Sequence, residues 1–391
     1  MIAFEEAYRI VTTDIPVNDL ERLNFEQAEG RILAEDIRSD MDMPPFDKAA
    51  VDGFACRRAD LEKPLRLVEI VPAGKQPQFS ISEGCCSKVM TGAPVPEGAD
   101  CVVMVEQTCM HDAATVVITD TKTKSNIASK AEDIRKGSIV ISKGVCIKPQ
   151  HIAVLASVGA TQPLVYKKVR LVVLSTGDEL VEPSVIPGPG QIRNSNAQQL
   201  LAQAKRMHID ATYGGIVADT EDSCRRLIGT SVNNSQVVIL SGGISMGDFD
   251  YVPAVLKELG FKILFKSIAV QPGRPTVFAR SEDQFVLALP GNPVSSFNIF
   301  ELLAKPFLYR MMGYSYNAPF LRLPLAESYS RRSAGRLGFV PAAITEEGMI
   351  KPIYYHGSAH INALVDAHAI FAVPPDISDL NKGDLVDVRL I

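Results

Sequence analysis

The chain has 391 residues, too many for one ordinary domain, and its 46% apolar and 22% charged composition excludes disordered and fibrous classes. A net charge of −5 argues against a nucleic-acid binder, which would carry a basic stripe, yet it leaves room for a local cationic pocket for a small anion. The seven cysteines are odd in number and scattered, and no Cys-x-x-Cys pair occurs. Zinc spacing and a disulfide framework are therefore unsupported, and reduced thiols in the cytoplasm fit better. The segment Met1 to Glu6 already carries acids and lacks the basic start of a signal peptide. No run of about 18 uncharged apolar residues is present, so no membrane span is expected.

Residues 1 to about 35 read as helices, with Ala7, Ile10 and Val11 at helical spacing and a second apolar stripe that includes Leu33. The loop Asp42-Met43-Pro44-Pro45-Phe46 stops any helix. From 46 to 138 short β-like runs (Leu65 to Val71, Cys101 to Val105, Thr115 to Ile118) are separated by Pro, Gly and Asp, which predicts a small all-β module. It would be inserted between 1–45 and 139–165, a helical and extended region. From 166 to 313 apolar strand-like runs alternate with helical spacing, the signature of a mostly parallel α/β sheet with helices on both faces. The tail, 314–391, is short-stranded and proline-punctuated, and reads as a second small β domain. The predicted fold class is thus α/β plus β in a multidomain chain.

Ligands of an open α/β sheet sit beyond the carboxyl ends of its strands. Three polar, glycine-bearing segments fall there. They are Ser175-Thr176-Gly177-Asp178-Glu179-Leu180, then Ser241-Gly242-Gly243-Ile244-Ser245-Met246-Gly247-Asp248-Phe249-Asp250, then Leu289-Pro290-Gly291-Asn292-Pro293-Val294-Ser295-Ser296. Glycines let backbone N–H groups approach an anion, and a following helix N-terminus adds partial positive charge. Carboxylates in the same loops would repel a bare phosphate, which points to a bridging divalent cation such as Mg²⁺. The bland alternative is that these are tight strand-to-helix turns. Neither a P-loop nor a Gly-x-Gly-x-x-Gly dinucleotide fingerprint is present.

These segments, with Pro44-Pro45-Phe46-Asp47-Lys48-Ala49-Ala50-Val51-Asp52-Gly53-Phe54-Ala55, Met90 to Asp100, Glu132 to Gly137, Asn194-Ser195-Asn196 and Gln271-Pro272-Gly273-Arg274-Pro275, resemble the MoeA-like molybdopterin molybdotransferase family, which includes the E domains of gephyrin and its relatives. The resemblance implies an elongated homodimer of four-domain chains, with an α/β domain like those of other cofactor-synthesis proteins (MoaB/MogA-like) and a cleft completed by the partner's N-terminal region. It implies a Mg²⁺-dependent reaction in which molybdate is inserted into adenylylated molybdopterin with release of AMP. Asp52, Thr91, Asp133, Glu179, Asp219 and Asp250 match the family's functional positions. Of these, Glu179, Asp219 and Asp250 would hold the metal and pyrophosphate, and Asp52 would arrive from the partner. Each acid also has an ordinary reading as a helix cap or turn former.

Ser175, Gly177, Ser241, Gly242, Gly243, Ser245, Pro290 and Pro293 would line the substrate site. Pro272, Arg274, Ser295, Arg336 and Ser358 would receive molybdate, a tetrahedral dianion suited to cations, hydroxyls and N–H groups. Partners implied are a separate molybdopterin adenylyltransferase and acceptor molybdoenzymes, with neither nucleic acid nor membrane.

The chain departs from the family pattern where lysines often flank the Pro-Gly loop. Gln271 and Arg274 stand there, and Arg is a planar fork, not an equivalent of Lys. An arginine the family often carries near Pro341 is replaced by an apolar residue. These departures motivate a second reading, a non-catalytic pterin carrier or scaffold. A third, an unrelated nucleotidyl-activated ligase or hydrolase, leaves the Asp47-to-Ala55 and Thr91-to-Asp100 segments unexplained. His356 and His360 lie four apart, but in loop-like surroundings with no Glu after the first, which disfavours a metal pair.

Overall fold

The computed structural model describes residues 1–244, 251–318, 321–354, 357 and 359–391. In the alternating segment we number β1 (Leu171–Thr176), α1 (Ser195–Arg206), β2 (Thr212–Val217), α2 (Glu221–Asn234), β3 (Val237–Ser241), α3 (Val252–Glu258), β4 (Lys262–Ser267), β5 (Pro275–Arg280), β6 (Phe285–Leu289) and α4 (Pro293–Ile299). The strands form one six-stranded sheet in the order β2-β1-β3-β6-β5-β4. The β1–β2, β1–β3 and β3–β6 pairs are parallel, whereas β5 runs antiparallel to β6 and β4 antiparallel to β5.

β1, β3 and β6 are buried along their whole length because helices cover both faces of the sheet, and their near-continuous apolar sequences follow from that. On one face α1, α4 and the helix that continues to Met311 enclose Phe278, Phe285 and Phe307, whose rings lie 5.1 to 5.9 Å apart. On the other, α2 and α3 bury Cys224, Ile228, Val255 and Leu256 against Leu240 and Val286. Residues Phe300–Ala304 form a π-helical turn between α4 and Lys305–Met311. Pro306, which has no N–H to continue an α-helical ladder, follows directly.

The first helix, Phe4–Thr12, buries Phe4, Ala7 and Val11 in the first of these two cores. Ile2 ties it to the end of β4: its N–H donates to the Ser267 carbonyl (3.1 Å) and its carbonyl accepts from the Ala269 N–H (2.8 Å). Beyond it the helical expectation fails. Residues 16–35 hold only the 3-10 turn Phe25–Gln27 and the turn at Glu29–Gly30 that follows it, with short extended segments on either side. The second apolar stripe is completed from far along the chain. Leu20–Arg22 pairs with Leu164–Tyr166, Leu33 bridges to Val165, and Ile37–Arg38 pairs with Ile139–Ile141. With the helix Pro149–Ser157 these segments bury Leu33, Ile37, Ile147 and Leu155 together. Long-range partners, which local periodicity cannot register, decided the conformation.

Between them lies a six-stranded sheet ordered Cys101–Met104, Gly53–Cys56, Cys85–Val89, Leu65–Val71, Thr115–Ile118, Thr108–Asp112. The C-terminal sheet orders Leu337–Ile344, Ala369–Val373, Leu385–Leu390 and Leu321–Pro324. Its other edge is taken by Val270–Gln271, from the α/β segment, which pairs in parallel with Leu337 and Gly338. The Pro-Gly loop is thereby clamped between the two sheets.

Candidate active-site cleft

Because β2, β1, β3 and β6 are consecutive parallel neighbours, their carboxyl ends open on one edge and bring together the loops after each. Backbone bonds lock those loops. The Gly177 N–H donates to the Val217 carbonyl (3.1 Å), and the Gly242 N–H to the Leu289 carbonyl (3.0 Å). The Asp219 N–H donates to Asp178 Oδ1 (3.0 Å), so the β1 and β2 loops share a side-chain bond as well.

Two glycines are dictated by this closeness. Gly177 has φ +146°, and a Cβ there would lie 2.4 Å from Glu179 Oε2, so the Glu179 carboxylate curls back over the turn into space only glycine leaves. At Gly242 (φ +95°) a Cβ would meet the Thr176 carbonyl at 2.7 Å.

A cleft of about 480 Å³ sits at this edge, within the size range of small-ligand sites. Ser175, Thr176 and Ser241 form its floor, Glu179 and Asn196 its walls, and Gly291, Asn292 and Pro293 one lip. Ala359 and Ile361 reach it from the C-terminal domain. Ser175 and Ser241 sit side by side in the β1–β3 register. Asn194, one residue before α1, accepts the Ala197 N–H at 3.3 Å, an N-cap that starts the helix. Asn196 donates to Ser241 Oγ (2.7 Å) and to the Gly291 carbonyl (2.6 Å), bridging the β3 and β6 loops. The Asn196 Oδ1 and Thr176 Oγ1 atoms are buried without a hydrogen-bond partner among the described residues.

The expected residues therefore divide. Ser175, Glu179, Ser241 and Pro293 line the cleft, with Gly177, Gly242 and Gly243 in the turns that shape it; Pro290 is buried in the β6 loop. Asp219 stands in the adjoining β2 loop. Ser295 is only 3% exposed inside α4 and does not line the cleft. Ser245, Asp250 and Ser358 lie outside the described residues.

Asp52, Thr91 and Asp133 do not line the cleft of their own chain. Thr91 donates to Asp52 Oδ1 through both its N–H (2.6 Å) and its hydroxyl (2.8 Å), and these bonds hold the Asp52 carboxyl below its ordinary pKa. Asp133 is exposed, with its N–H on the Met43 carbonyl (3.0 Å).

The two arginines expected to converge on one oxyanion face different surroundings. Arg336 donates to the Val270 carbonyl (3.3 Å) at one end of the Pro-Gly loop, while the Gln271–Pro272 peptide is cis and Gln271 Oε1 is buried without a partner among the described residues. Arg274, at the other end, opens into a separate cleft of about 890 Å³ with Lys257, Lys266 and Met1. Among the described residues no carboxylate lines that cleft, which also has Ile244, Pro253 and Val277 in its wall.

Sequence reasoning gave Asn194 and Asn196 no role, although an Asn-Ser-Asn run before an apolar helical segment is a recognisable helix start. It also missed Ala359 and Ile361, which carry no chemical signal. Glu179 and Asp219 offer hard oxygen donors of the kind a divalent magnesium ion takes. Among the described residues, no cluster of three His, Cys, Asp or Glu side chains stands ready to hold a metal, and no helix is long and apolar enough to cross a membrane.

Comparison with known proteins matches the whole chain in order. Residues 2–159 fit the model of the MoeA N-terminal region (domains I and II), 172–310 that of a probable molybdopterin binding domain, and 322–391 that of the MoeA C-terminal region (domain IV). The chain belongs to the MoeA family. The molybdopterin molybdenumtransferase of Staphylococcus epidermidis is 32% identical, over 100% of this chain and 95% of that protein. The enzyme of the same name from Haemophilus influenzae is 31% identical, over 100% and 98%. The crystal structure of the molybdopterin biosynthesis MoeA protein from Pyrococcus horikoshii OT3 superposes with a TM-score of 0.86 at 28% identity, covering all of both chains. The MoeA fold thus accounts for the separate β modules around the α/β sheet.

Proposed function

We propose that this MoeA-family chain is a molybdopterin molybdotransferase, inserting molybdate into adenylylated molybdopterin and releasing AMP. The observation that carries this reading is the convergence of the β1, β3 and β6 loops on one cleft that combines a carboxylate with glycine turns. Glu179 and Asp219, with Asp250, would hold Mg²⁺, which on binding supplies charge neutralisation at the phosphoanhydride. This chain's own part is to orient the substrate in the cleft and keep the loop carboxylates fixed beside it. Ser358 and Ser245 belong to the same proposal as molybdate and pterin contacts.

Asp52, with Thr91 and Asp133, would complete the site from a second copy of the chain, the N-terminal region serving as the dimer contact. A cytoplasmic homodimer, supplied by a separate adenylyltransferase and delivering to molybdoenzymes, follows from the same reading.

The test is turnover: purified chain, Mg²⁺, molybdate and adenylylated molybdopterin should release AMP and yield cofactor, and a Glu179→Ala variant should not. AMP release no greater than that of the variant would overturn the proposal and leave a pterin carrier.

A further inference from the structure

We infer that Ile192 and Ile361, exposed apolar side chains carried by two different domains, clamp the planar heteroaromatic ring of the ligand in the carboxyl-end cleft, so that the C-terminal domain completes the ring subsite. The inference deepens the function proposed above and rests on it for the identity of the ring.

One wall is set by strand pairing. Leu180–Val181 runs parallel to Ile192–Arg193, held by the Ile192 N–H on the Glu179 carbonyl (2.8 Å) and the Asn194 N–H on the Val181 carbonyl (2.8 Å). Register partners on neighbouring strands point to the same face, and successive residues point to opposite faces. Leu180 and Ile192 are register partners, and both line the cleft. Val181 does not. Arg193 borders the cleft but is turned to the Val185 carbonyl, which accepts its Nε–H at 3.1 Å. The cleft therefore meets an aliphatic strand face, on which Ile192 is 56% exposed.

The second wall comes from the C-terminal domain. Ile361 opens the 3-10 turn Ile361–Leu364. That turn is anchored by Ala363, which is buried and whose N–H donates to the His360 carbonyl (3.1 Å). The anchor leaves Ile361 42% exposed in the lining of the same cleft, next to Ala359. One exposed isoleucine on a protein surface is ordinary. Two, brought into one small cleft by separate domains and joined there by Leu180 and Pro293, form an apolar surface that a ligand can cover.

The chemistry of the walls selects which part of a ligand lies between them. A phosphate gains nothing from aliphatic side chains and loses hydration against them. A flat ring gains by covering both, and apolar walls with a few polar groups are the usual make-up of such sites. The anionic end of the same ligand belongs at the β1 turn, where Glu179 stands over Gly177. The proposed substrate carries two rings of this kind, pterin and adenine, each tied to phosphate.

Equilibrium binding to the full chain, followed by fluorescence or calorimetry, tests the clamp with pterin, adenosine and inorganic pyrophosphate as probes. Ile192→Ala and Ile361→Ala should each weaken a ring roughly five- to tenfold and leave pyrophosphate unchanged, whereas Ile361→Val, which keeps most of the apolar surface, should stay within about twofold of wild type. Losses confined to pterin assign the clamp to the pterin end, and losses confined to adenosine assign it to the adenine end. Ring binding should also slow amide exchange at Ala363 and Val365 in the C-terminal domain, and pyrophosphate should not. Because both isoleucines are exposed in the free chain, melting temperatures should not change; a clear drop would show packed residues and overturn the clamp. Ring affinity untouched in Ile361→Ala, equal losses for pyrophosphate, or no ring binding by a chain that still releases AMP would overturn the inference and leave the transferase reading intact. The expected ring losses in a chain that releases no AMP would keep the clamp and remove the transferase.

Discussion

Thr91 grips the Asp52 carboxylate twice, through backbone and hydroxyl, in a part of the chain remote from the cleft in sequence. Both bonds favour the ionised acid, so Asp52 titrates below 3.8, its ordinary value. A depressed carboxyl stabilises the fold at every pH above its unfolded value, and that contribution disappears as pH falls through the lowered folded value. In a carboxyl-carbon NMR titration, the Asp52 midpoint of the wild type should lie below 3.8 and rise in Thr91→Val, which keeps only the backbone bond. An unshifted Asp52 in the wild type would contradict the grip. Because Asp52 is solvent-exposed, the expected change is in protonation range and turnover at acid pH, with little change in stability.

Gly177→Ala tests the β1 turn. The backbone at φ +146° is hostile to any L side chain, and the added methyl would fall on the Glu179 carboxylate. Backbone strain of this kind costs about 1–3 kcal/mol, and Glu179 must move as well. We expect a lowered melting temperature and at least tenfold less AMP release. A variant with normal turnover would show that the Glu179 position over Gly177 is irrelevant to the reaction.

The α/β sheet was readable because its strands and helices have opposite periodicities, and because three glycine-bearing loops follow the buried strands β1, β3 and β6. The extended segments of 16–35 were not readable, since their pairing partners lie about 100 residues or more downstream, at Ile139–Ile141 and Leu164–Tyr166. The resemblance implied Ser295 as a molybdate contact, but the first turn of α4 buries it. Asn194 and Asn196 were quoted only as a motif. Their roles emerge once α1 lies against the sheet, because each bonds to a residue from another loop or strand. Arg274 belongs to the Pro-Gly loop and Arg336 comes from far along the chain; the short strand pairing at Val270–Gln271 brings Arg336 to the start of that loop at the C-terminal sheet, while Arg274 opens onto a different cleft.

Arg331 carries a structural load that its sequence context hides. Its guanidinium donates to the carbonyls of Ile377 (2.8 Å), Arg336 (2.8 Å), Ala334 (3.4 Å) and Pro374 (2.7 Å), tying the 331–336 loop to the segment after Ala369–Val373. Arg331→Met keeps the stem and removes all four bonds. It should destabilise the C-terminal sheet by about 2–4 kcal/mol, seen as faster amide exchange along Leu337–Ile344 while β1 and β3 stay protected. Equal protection in both sheets would show the loop to be held by packing alone.

The cleft beside Arg274 gives a prediction for the oxyanion. Lys257, Lys266 and Arg274 line it with no carboxylate among its described lining residues, in a protein whose net charge is −5. At 271, where the resemblance implies a lysine in many relatives, this chain has Gln271, whose side chain adds no charge to this region. If the oxyanion enters through this cleft, the lost charge is offset by the two lysines on α3 and β4. All three side chains are exposed, so each contributes modestly: neutralising one should raise the molybdate KM about two- to fivefold, the effect of roughly 0.5–1 kcal/mol in a screened field. Lys266→Gln and Lys257→Gln should leave kcat unchanged, since neither residue stands at the carboxyl-end cleft. Raising the salt from low to physiological strength should shrink the difference between wild type and variants, because the wild type alone loses an attraction to screening. Steady-state kinetics at two ionic strengths checks both statements together. A KM unmoved in the Lys257→Gln/Lys266→Gln double variant would send the oxyanion to the Arg336 end of the loop, beside the buried side-chain oxygen of Gln271.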